Sequence, residues 1–240
     1  ALTSLAGIGA MSRWKTMSGK LLLVQIASSL VLAIIVAAVF PLVYAGEMNV
    51  KVALGMFVAT LLIATTLRDV WAKSKGKFSR LSKLSLSYWG MIIAHLGVAV
   101  TVIGITVVSN FSVEKALKMY PGETAVVSGY DFKFAQIGTM QGPNYSAHVG
   151  VFEISKQGER VATLHAEKRR YKVKGSMMTE AAIDAGLFRD LYVSMGEPLE
   201  DGAWAMRLQV KAYMRWVWLG SIFMALGGLL AILDKRYRMR

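Results

Sequence analysis

Apolar positions along this 240-residue chain follow two rhythms. In four stretches they run almost unbroken for a length close to the ~20 helical residues needed to cross a hydrocarbon core. The first is Leu21 to Phe40, interrupted by Gln25, Ser28 and Ser29 and closed by Pro41. The second runs from about Val50 to Leu67 and ends at Arg68–Asp69, the third from Leu84 to Val108, and the fourth from about residue 212 to Leu233. Between the third and the fourth, over residues 109–211, the rhythm shortens to two. YDFKFAQ (130–136) alternates aromatic with polar, and AWAMRLQV (203–210) puts Trp204, Met206, Leu208 and Val210 on one face. AHVGVFEI and RVATLHA are two more such runs, joined by the turn-like KQGE of 156–159.

The pattern predicts an integral membrane, mainly α-helical protein: four transmembrane helices, the tail of a preceding one, and a small β-rich domain inserted before the last helix. Six or seven short strands in that insert predict a sandwich or barrel. The stretch MTEAAIDAGLF reads as a short helix or an irregular crossover. Residues 1–20 read as the end of an upstream helix plus a loop, because ALTSLAGIGA has neither an initiator Met nor the basic start of a signal peptide. A longer parent protein is the expectation.

Composition agrees with this division. The chain is 55% hydrophobic, with a mean hydropathy of +0.45. Its formal charge of +13 is distributed unevenly. Residues 109–211 hold 13 of the 28 Lys/Arg but 12 of the 15 Asp/Glu, so almost all the excess flanks the apolar runs. Basic residues beside apolar spans set orientation. Arg13, Lys15 and Lys20 precede the first span, six Lys/Arg lie between spans two and three, and the tail DKRYRMR (234–240) follows the fourth. All three are expected on the cytoplasmic side, which places 109–211 outside. Nucleic acid is not a predicted partner, since no basic motif has the spacing groove readout needs. The chain has no cysteine and no Walker, HExxH, GxSxG or GxGxxG pattern.

Chemistry centres on His95. It stands eleven residues into the third span, where an ionisable group is costly and faces a bundle interior, a cavity or a cofactor. Its helix face also carries Tyr88, Met91, Ile92, Val98, Ala99 and Val102. Gly90, Ala94, Gly97, Thr101 and Gly104 form a second stripe, small enough for another helix to approach closely. An apolar slot headed by an imidazole suits a haem, whose iron takes an axial nitrogen and whose ring takes aliphatic walls. An interhelical hydrogen bond and a proton relay are the alternative readings of the same pattern. No other span in the chain has a second histidine. His148 and His165 flank the KQGE turn and read as solvated strand residues. EKRRYKVKG (167–175) reads as a solvated face, with a docking surface for carboxylates as the alternative. Arg215 reads as snorkelling to the interface, with a haem propionate or quinone head group as the alternative. Ser221/Ala225 and Gly227/Ala231 read as helix-packing pairs.

Four stretches carry a resemblance: GIGAMSRWK, WGMIIAHLGVAV, TLHAEKRRYKVKGSMMTEAAI, and the run from Arg189 to Arg238 beginning RDLYVSMGEPLEDGAWAMRLQVKAYMRW. In order and over essentially the whole chain, they resemble the C-terminal end of the CcmF family of cytochrome c maturation haem lyases. The resemblance implies a polytopic inner-membrane subunit that receives haem from a haem chaperone. It implies an enzyme that joins the haem vinyl groups to the CxxCH thiols of apocytochrome c on the periplasmic side. It further implies a transmembrane haem b held by two histidines, with His95 standing where the second is expected. The implied partners are apocytochrome c, the chaperone, other maturation subunits and membrane lipid, with a quinol admitted as an electron source. The family's Trp-rich outer segment and its two histidines have no counterpart here, so His148 and His165 do not inherit their role. Ala10 stands where the family often has proline. The competing expectation is a haem-free permease or membrane scaffold with a partner-binding outer domain.

Overall fold

A computed structural model describes residues 19–173 and 175–234. The expected upstream helix tail within 1–20, Lys174 and most of the basic tail lie outside these residues. The chain divides into two compact units, one helical and one of β-strands (Phe111–Met214).

The helical unit contains α1 (Gly19–Ala45), α2 (Val50–Lys73), α3 (Leu86–Phe111) and α4 (Met214–Ile232), with a 3-10 turn at Phe78–Lys83. Several bounds differ from the expected ones. Pro41 does not end α1; it lies inside the helix, which continues to Ala45 and stops at Gly46, whose φ of +75° is a helix-terminating conformation. A proline this near the C-terminus forfeits one backbone hydrogen bond without breaking the helix. α2 runs six residues past Leu67, through Arg68 and Asp69, because that last turn has its own polar partners. α3 is shifted to 86–111, its first turn capped where the Ser87 N–H donates to Asp234 Oδ2 at 2.8 Å. Asn49 opens α2 by accepting from the Lys51 and Val52 amides. Among the described residues all four helices are long and apolar enough to cross a membrane.

α3 and α4 meet through their smallest residues. A Cβ built on Gly90 would lie 2.5 Å from the Gly227 carbonyl oxygen, one on Gly97 2.7 Å from the Gly220 carbonyl oxygen, and one on Gly104 2.7 Å from the Val217 amide. The reciprocal contacts, Gly227 on Gly90 and Ala94 and Gly220 on Gly97 and Thr101, define an antiparallel seam of backbone on backbone. The expected small-residue stripe is this seam. On α4 its phase is Gly220, Gly227 and Ala231, whereas Ser221 and Ala225 are exposed. The Ser221 hydroxyl donates to the Val217 carbonyl of its own helix. α2 also approaches α3 closely, at Gly55 against Thr106.

The second unit is a sandwich of nine strands: β1 (Val113–Met119), β2 (Thr124–Val127), β3 (Tyr130–Gln141), β4 (Tyr145–Lys156), β5 (Glu159–Tyr171), β6 (Met177–Glu180), β7 (Ala182–Ala185), β8 (Arg189–Pro198) and β9 (Trp204–Ala212). One sheet has the order β1-β9-β8-β7, the other β2-β3-β4-β5-β6, and every pairing is antiparallel. The stretch expected as helix or crossover is β6 and β7, two four-residue strands between which the chain changes sheet. Inward positions alternate as the pleat requires. Phe132, Phe134, Phe152 and Ile154 face Leu191, Val193, Met195, Met206 and Leu208, all buried in one cluster. Phe134 and Phe152 stack at 4.9 Å, and Gly150 leaves the space that the Met195 sulfur fills.

Candidate cofactor site

His95 is half-buried in the middle of α3, and its Nδ1 lies 2.8 Å from the Met91 carbonyl oxygen one turn back. A carbonyl oxygen only accepts, so the neutral ring carries its proton on Nδ1 and donates it there. The Nε2 lone pair is then left directed outward. A backbone carbonyl fixing one ring nitrogen is the arrangement that orients a histidine for a metal at the other. An imidazole held this way fits one axial position of a haem iron.

The face around His95 is not the open slot expected. Tyr88, seven residues earlier on the same side of α3, donates its hydroxyl to Asp69 Oδ2 on α2 at 2.6 Å. Ile92 and Ala99, flanking His95 on that side, are buried. Lys73 Nζ stands 3.4 Å from Asp69 Oδ2 and 4.1 Å from the centre of the Tyr88 ring. α2 thus covers part of the face, leaving Met91, Val98 and Val102 as the partly open walls beside the imidazole. The Thr66 hydroxyl on α2 is buried without a hydrogen-bond partner among the described residues. An apolar cavity of about 340 Å³ lined by Ile93, Leu96, Phe223, Leu226, Leu229 and Leu230 opens on another side of α3, away from His95.

Sequence reasoning missed the Tyr88–Asp69–Lys73 cluster. Asp69 looked like the polar end of a short second span; its burial depends on a residue nineteen positions away. The only sequence signal was an acidic residue in a segment otherwise flanked by cations.

The other candidates do not converge on His95. Arg215 is exposed, on the side of α4 away from the glycine seam. His148 lies opposite Lys168 and His165 opposite Val151, so the two histidines are three registers apart and on opposite faces of the sheet. His148 instead packs its ring 5.2 Å from Trp204 of the other sheet. No group of three or more His, Cys, Asp or Glu with metal-binding geometry occurs among the described residues. The basic run is half neutralised from within. Lys168 is buried and bonds Glu197 at 2.8 Å and the Thr179 hydroxyl at 3.1 Å, and Arg169 pairs with Glu167 and Glu180. Lys168 falls in phase with the inward Leu164 and Ala166, so it points between the sheets; Arg169 takes the outer face, and Arg170, in the phase of Lys168, is exposed near the end of the strand.

Among the described residues the chain combines four helices long and apolar enough to cross a membrane, a backbone-close seam between two of them, and a β-sandwich inserted before the last. Residues 110–212 match the family described as the CcmF C-terminal beta-sandwich. The chain is 43% identical over 242 residues to the cytochrome c-type biogenesis protein CcmF of Pseudomonas aeruginosa, covering 100% of this chain and 37% of that protein. It is 40% identical over 240 residues to the protein of the same name from Escherichia coli K12, covering 98% and 36% respectively. A solved structure of the cytochrome c heme lyase CcmF superposes with a TM-score of 0.78 at 17% identity, over 97% of this chain and 38% of that one, and so shares the fold. The chain belongs to the CcmF family, and it spans rather more than a third of the length of the relatives it matches.

Proposed function

We propose that this chain is the part of a cytochrome c haem lyase that supplies one axial ligand, His95, to a b-type haem within the membrane. The observation that carries the reading is the 2.8 Å bond from His95 Nδ1 to the Met91 carbonyl, which presents Nε2 for a metal. A haem bound there supplies a reversible one-electron couple. The chain's own contribution is to hold the imidazole in one tautomer and orientation, to wall it with Met91, Val98 and Val102, and to exclude water. The second axial ligand comes from outside these residues, since neither His148 nor His165 lies in a helix. The complete enzyme joins haem, brought by a haem chaperone, to the CxxCH thiols of apocytochrome c. The sandwich lies on the periplasmic side of the inner membrane, as the cationic flanks of the spans favour. The absence of cysteine suits an oxidising compartment where the reacting thiols belong to the substrate.

The test is the absorbance spectrum and haem content of the complete protein with and without His95→Ala. Loss or alteration of a b-type spectrum is expected in the variant, while the helical circular dichroism stays unchanged. An unaltered spectrum and haem content would remove His95 as a ligand, and absence of haem from the complete wild-type protein would favour the haem-free scaffold reading.

A further inference from the structure

Between α2 and α3 the sequence repeats with a period of three. KFSRLSKLS (77–85) is a cation, an apolar residue and a serine, three times over. The chain winds there as a 3-10 helix, Phe78–Lys83, flanked by Lys77 and Leu84. Such a helix has about three residues per turn, so side chains i and i+3 stand one above the other. The period of the sequence is therefore the period of the helix. Arg80 and Lys83 share one stripe, Phe78 and Leu81 a second, Ser79 and Ser82 a third.

The segment is fixed at both ends. Lys75 and Gly76 have φ of +52° and +68°, which turns the chain back so that the Phe78 ring meets Trp71 of α2 edge-on at 5.9 Å. The Trp89 indole of α3 donates to the Leu81 carbonyl at 3.3 Å, and the Ser85 hydroxyl accepts from the Tyr88 amide at 3.3 Å. Phe78 is nonetheless 77% exposed and Trp71 56%. Lys77, Arg80 and Lys83 have no ionic partner among the described residues, in contrast to Lys73, which meets Asp69. No Asp or Glu occurs in the sequence between Asp69 and Glu114. The whole segment belongs to the helical unit. It is held between the ends of two membrane-length helices, α2 closing at Lys73 and α3 opening at Leu86. Orienting those helices needs only a count of nearby cations. It requires neither a period of three nor exposed rings among the charges.

We propose that this 3-10 helix lies in the membrane interface and binds anionic phospholipid headgroups, Lys77, Arg80 and Lys83 meeting phosphate oxygens and Phe78 the acyl boundary. Charge complementarity selects an anionic partner, since the cations outnumber any acid within reach. Exposed aromatic rings at the ends of spans select lipid over an acidic polypeptide, because headgroup level is where such rings settle. The proposal rests on α2 and α3 crossing a membrane and not on the haem reading, as His95 takes no part in it.

The experiment uses the whole chain in lipid nanodiscs. The chain has no cysteine, so Ser79→Cys, at an exposed position, takes a single fluorophore. Its quenching by brominated phosphatidylglycerol is compared with that by brominated phosphatidylcholine, and the ratio reports preference for the anionic headgroup. A ratio of at least about five is expected, the size of one cation's attraction to an anionic surface, and it should fall as salt is raised. Lys77→Gln/Arg80→Gln/Lys83→Gln is expected to bring the ratio to about one while phosphatidylcholine still quenches. Phe78→Ser is expected to weaken quenching by both lipids and to leave the ratio standing. Lys115→Gln, an exposed cation on β1, is the control and is expected to change nothing. A ratio near one without the charge substitutions overturns the proposal, as does an unchanged ratio in the triple variant at an unchanged melting temperature. The salt series needs no charge variant, so it decides the matter even where the triple variant does not fold. Absence of quenching by either lipid means that protein covers the segment, and it overturns a lipid occupant in favour of a polypeptide one.

Discussion

The helices and the sandwich use apolar residues in opposite ways. In the sandwich the largest apolar side chains are the most hidden, with Phe132, Phe134, Phe152 and Leu191 each at 0% exposure. In the helical unit the hidden positions along the α3–α4 seam are glycines, and the large residues point out, Ile232 at 72% and Trp218 at 68%. The hydrophobic effect explains the first arrangement and fails for the second, where an aqueous surround would penalise every exposed Leu and Ile. A hydrocarbon surround removes that penalty. Helices then associate through close van der Waals packing and backbone approach.

Truncating a large apolar side chain in each region breaks the comparison most directly. Phe134→Ala removes a ring stacked at 4.9 Å on Phe152 and leaves a hole in a closed core, so a loss of about 3–5 kcal/mol is expected from denaturant unfolding of the sandwich. Leu229→Ala in α4, where the side chain is 53% exposed, is expected to cost under about 0.5 kcal/mol in detergent, as surface changes do. Equal costs would mean that the outer face of α4 is covered by protein.

Enlarging a small residue reverses the ranking. Gly97→Leu drives atoms into the Gly220 carbonyl and the Met224 backbone, neither of which can move aside without separating the helices. A loss of at least about 1–3 kcal/mol is expected, measured as thermal stability in detergent. Gly138→Leu, on β3 with nothing within 4 Å of a new Cβ, is the matched control and is expected to be tolerated. A smaller effect comes from Lys168, the buried cation that joins β5 to β6 and β8 through Thr179 and Glu197. Lys168→Ala leaves the Thr179 hydroxyl still bonded to the Met195 carbonyl and Glu197, already 64% exposed, free to hydrate. About 1 kcal/mol is therefore expected, in line with one net hydrogen bond and far below the cost of stranding a buried charge.

The two regions were also unequally legible in sequence. Runs of some twenty apolar residues announce a helix whatever packs against it, and the glycine stripe of α3 was visible as periodicity alone. On α4 the small pairs were visible too, yet Ser221/Ala225 and Gly227/Ala231 are alternatives until a partner selects the phase. Strands β3, β4, β5 and β9 are long enough to show alternation. β6 (MMTE) and β7 (AIDA) are four residues each, and five of the eight are the good helix formers Met, Ala and Glu, so only pairing with β5 and β8 makes them strands. At His95 the cost of an imidazole in an apolar span was plain. The bond to Met91 is local, one turn back in the same helix, whereas the covering of the face through Tyr88–Asp69 is a tertiary fact that no spacing encodes.

The smallest predicted effect lies at the edge of the sandwich, where β1 meets the β8–β9 turn. Asp201 accepts from Lys118 Nζ at 2.6 Å, from the Tyr120 hydroxyl at 2.7 Å and from the Ala203 amide at 3.2 Å. The Lys118 bond first, then those from Tyr120 and Ala203, holds its carboxyl well below the usual carboxylate range. Lys118 is shifted the other way, upward, chiefly by the same Asp201 bond. A carboxylate with a depressed folded value adds stability above its unfolded pKa, near 4, and loses it as pH falls through the folded value. The ammonium adds stability below its unfolded pKa, near 10.4, and loses it as pH rises through its raised value. The pair therefore favours the fold across the interval between those limits and withdraws support on either side. Both side chains are about half exposed, so solvent and salt screen the effect, which is expected to be slight. Comparing wild type with Asp201→Asn by melting temperature between pH 7 and pH 3 isolates it. The difference should begin to shrink toward the acid end, below about pH 4, as the carboxyl of the unfolded chain takes up its proton while the folded one stays ionised. A difference that stays constant with pH would assign the role of Asp201 to its turn hydrogen bonds rather than to its charge.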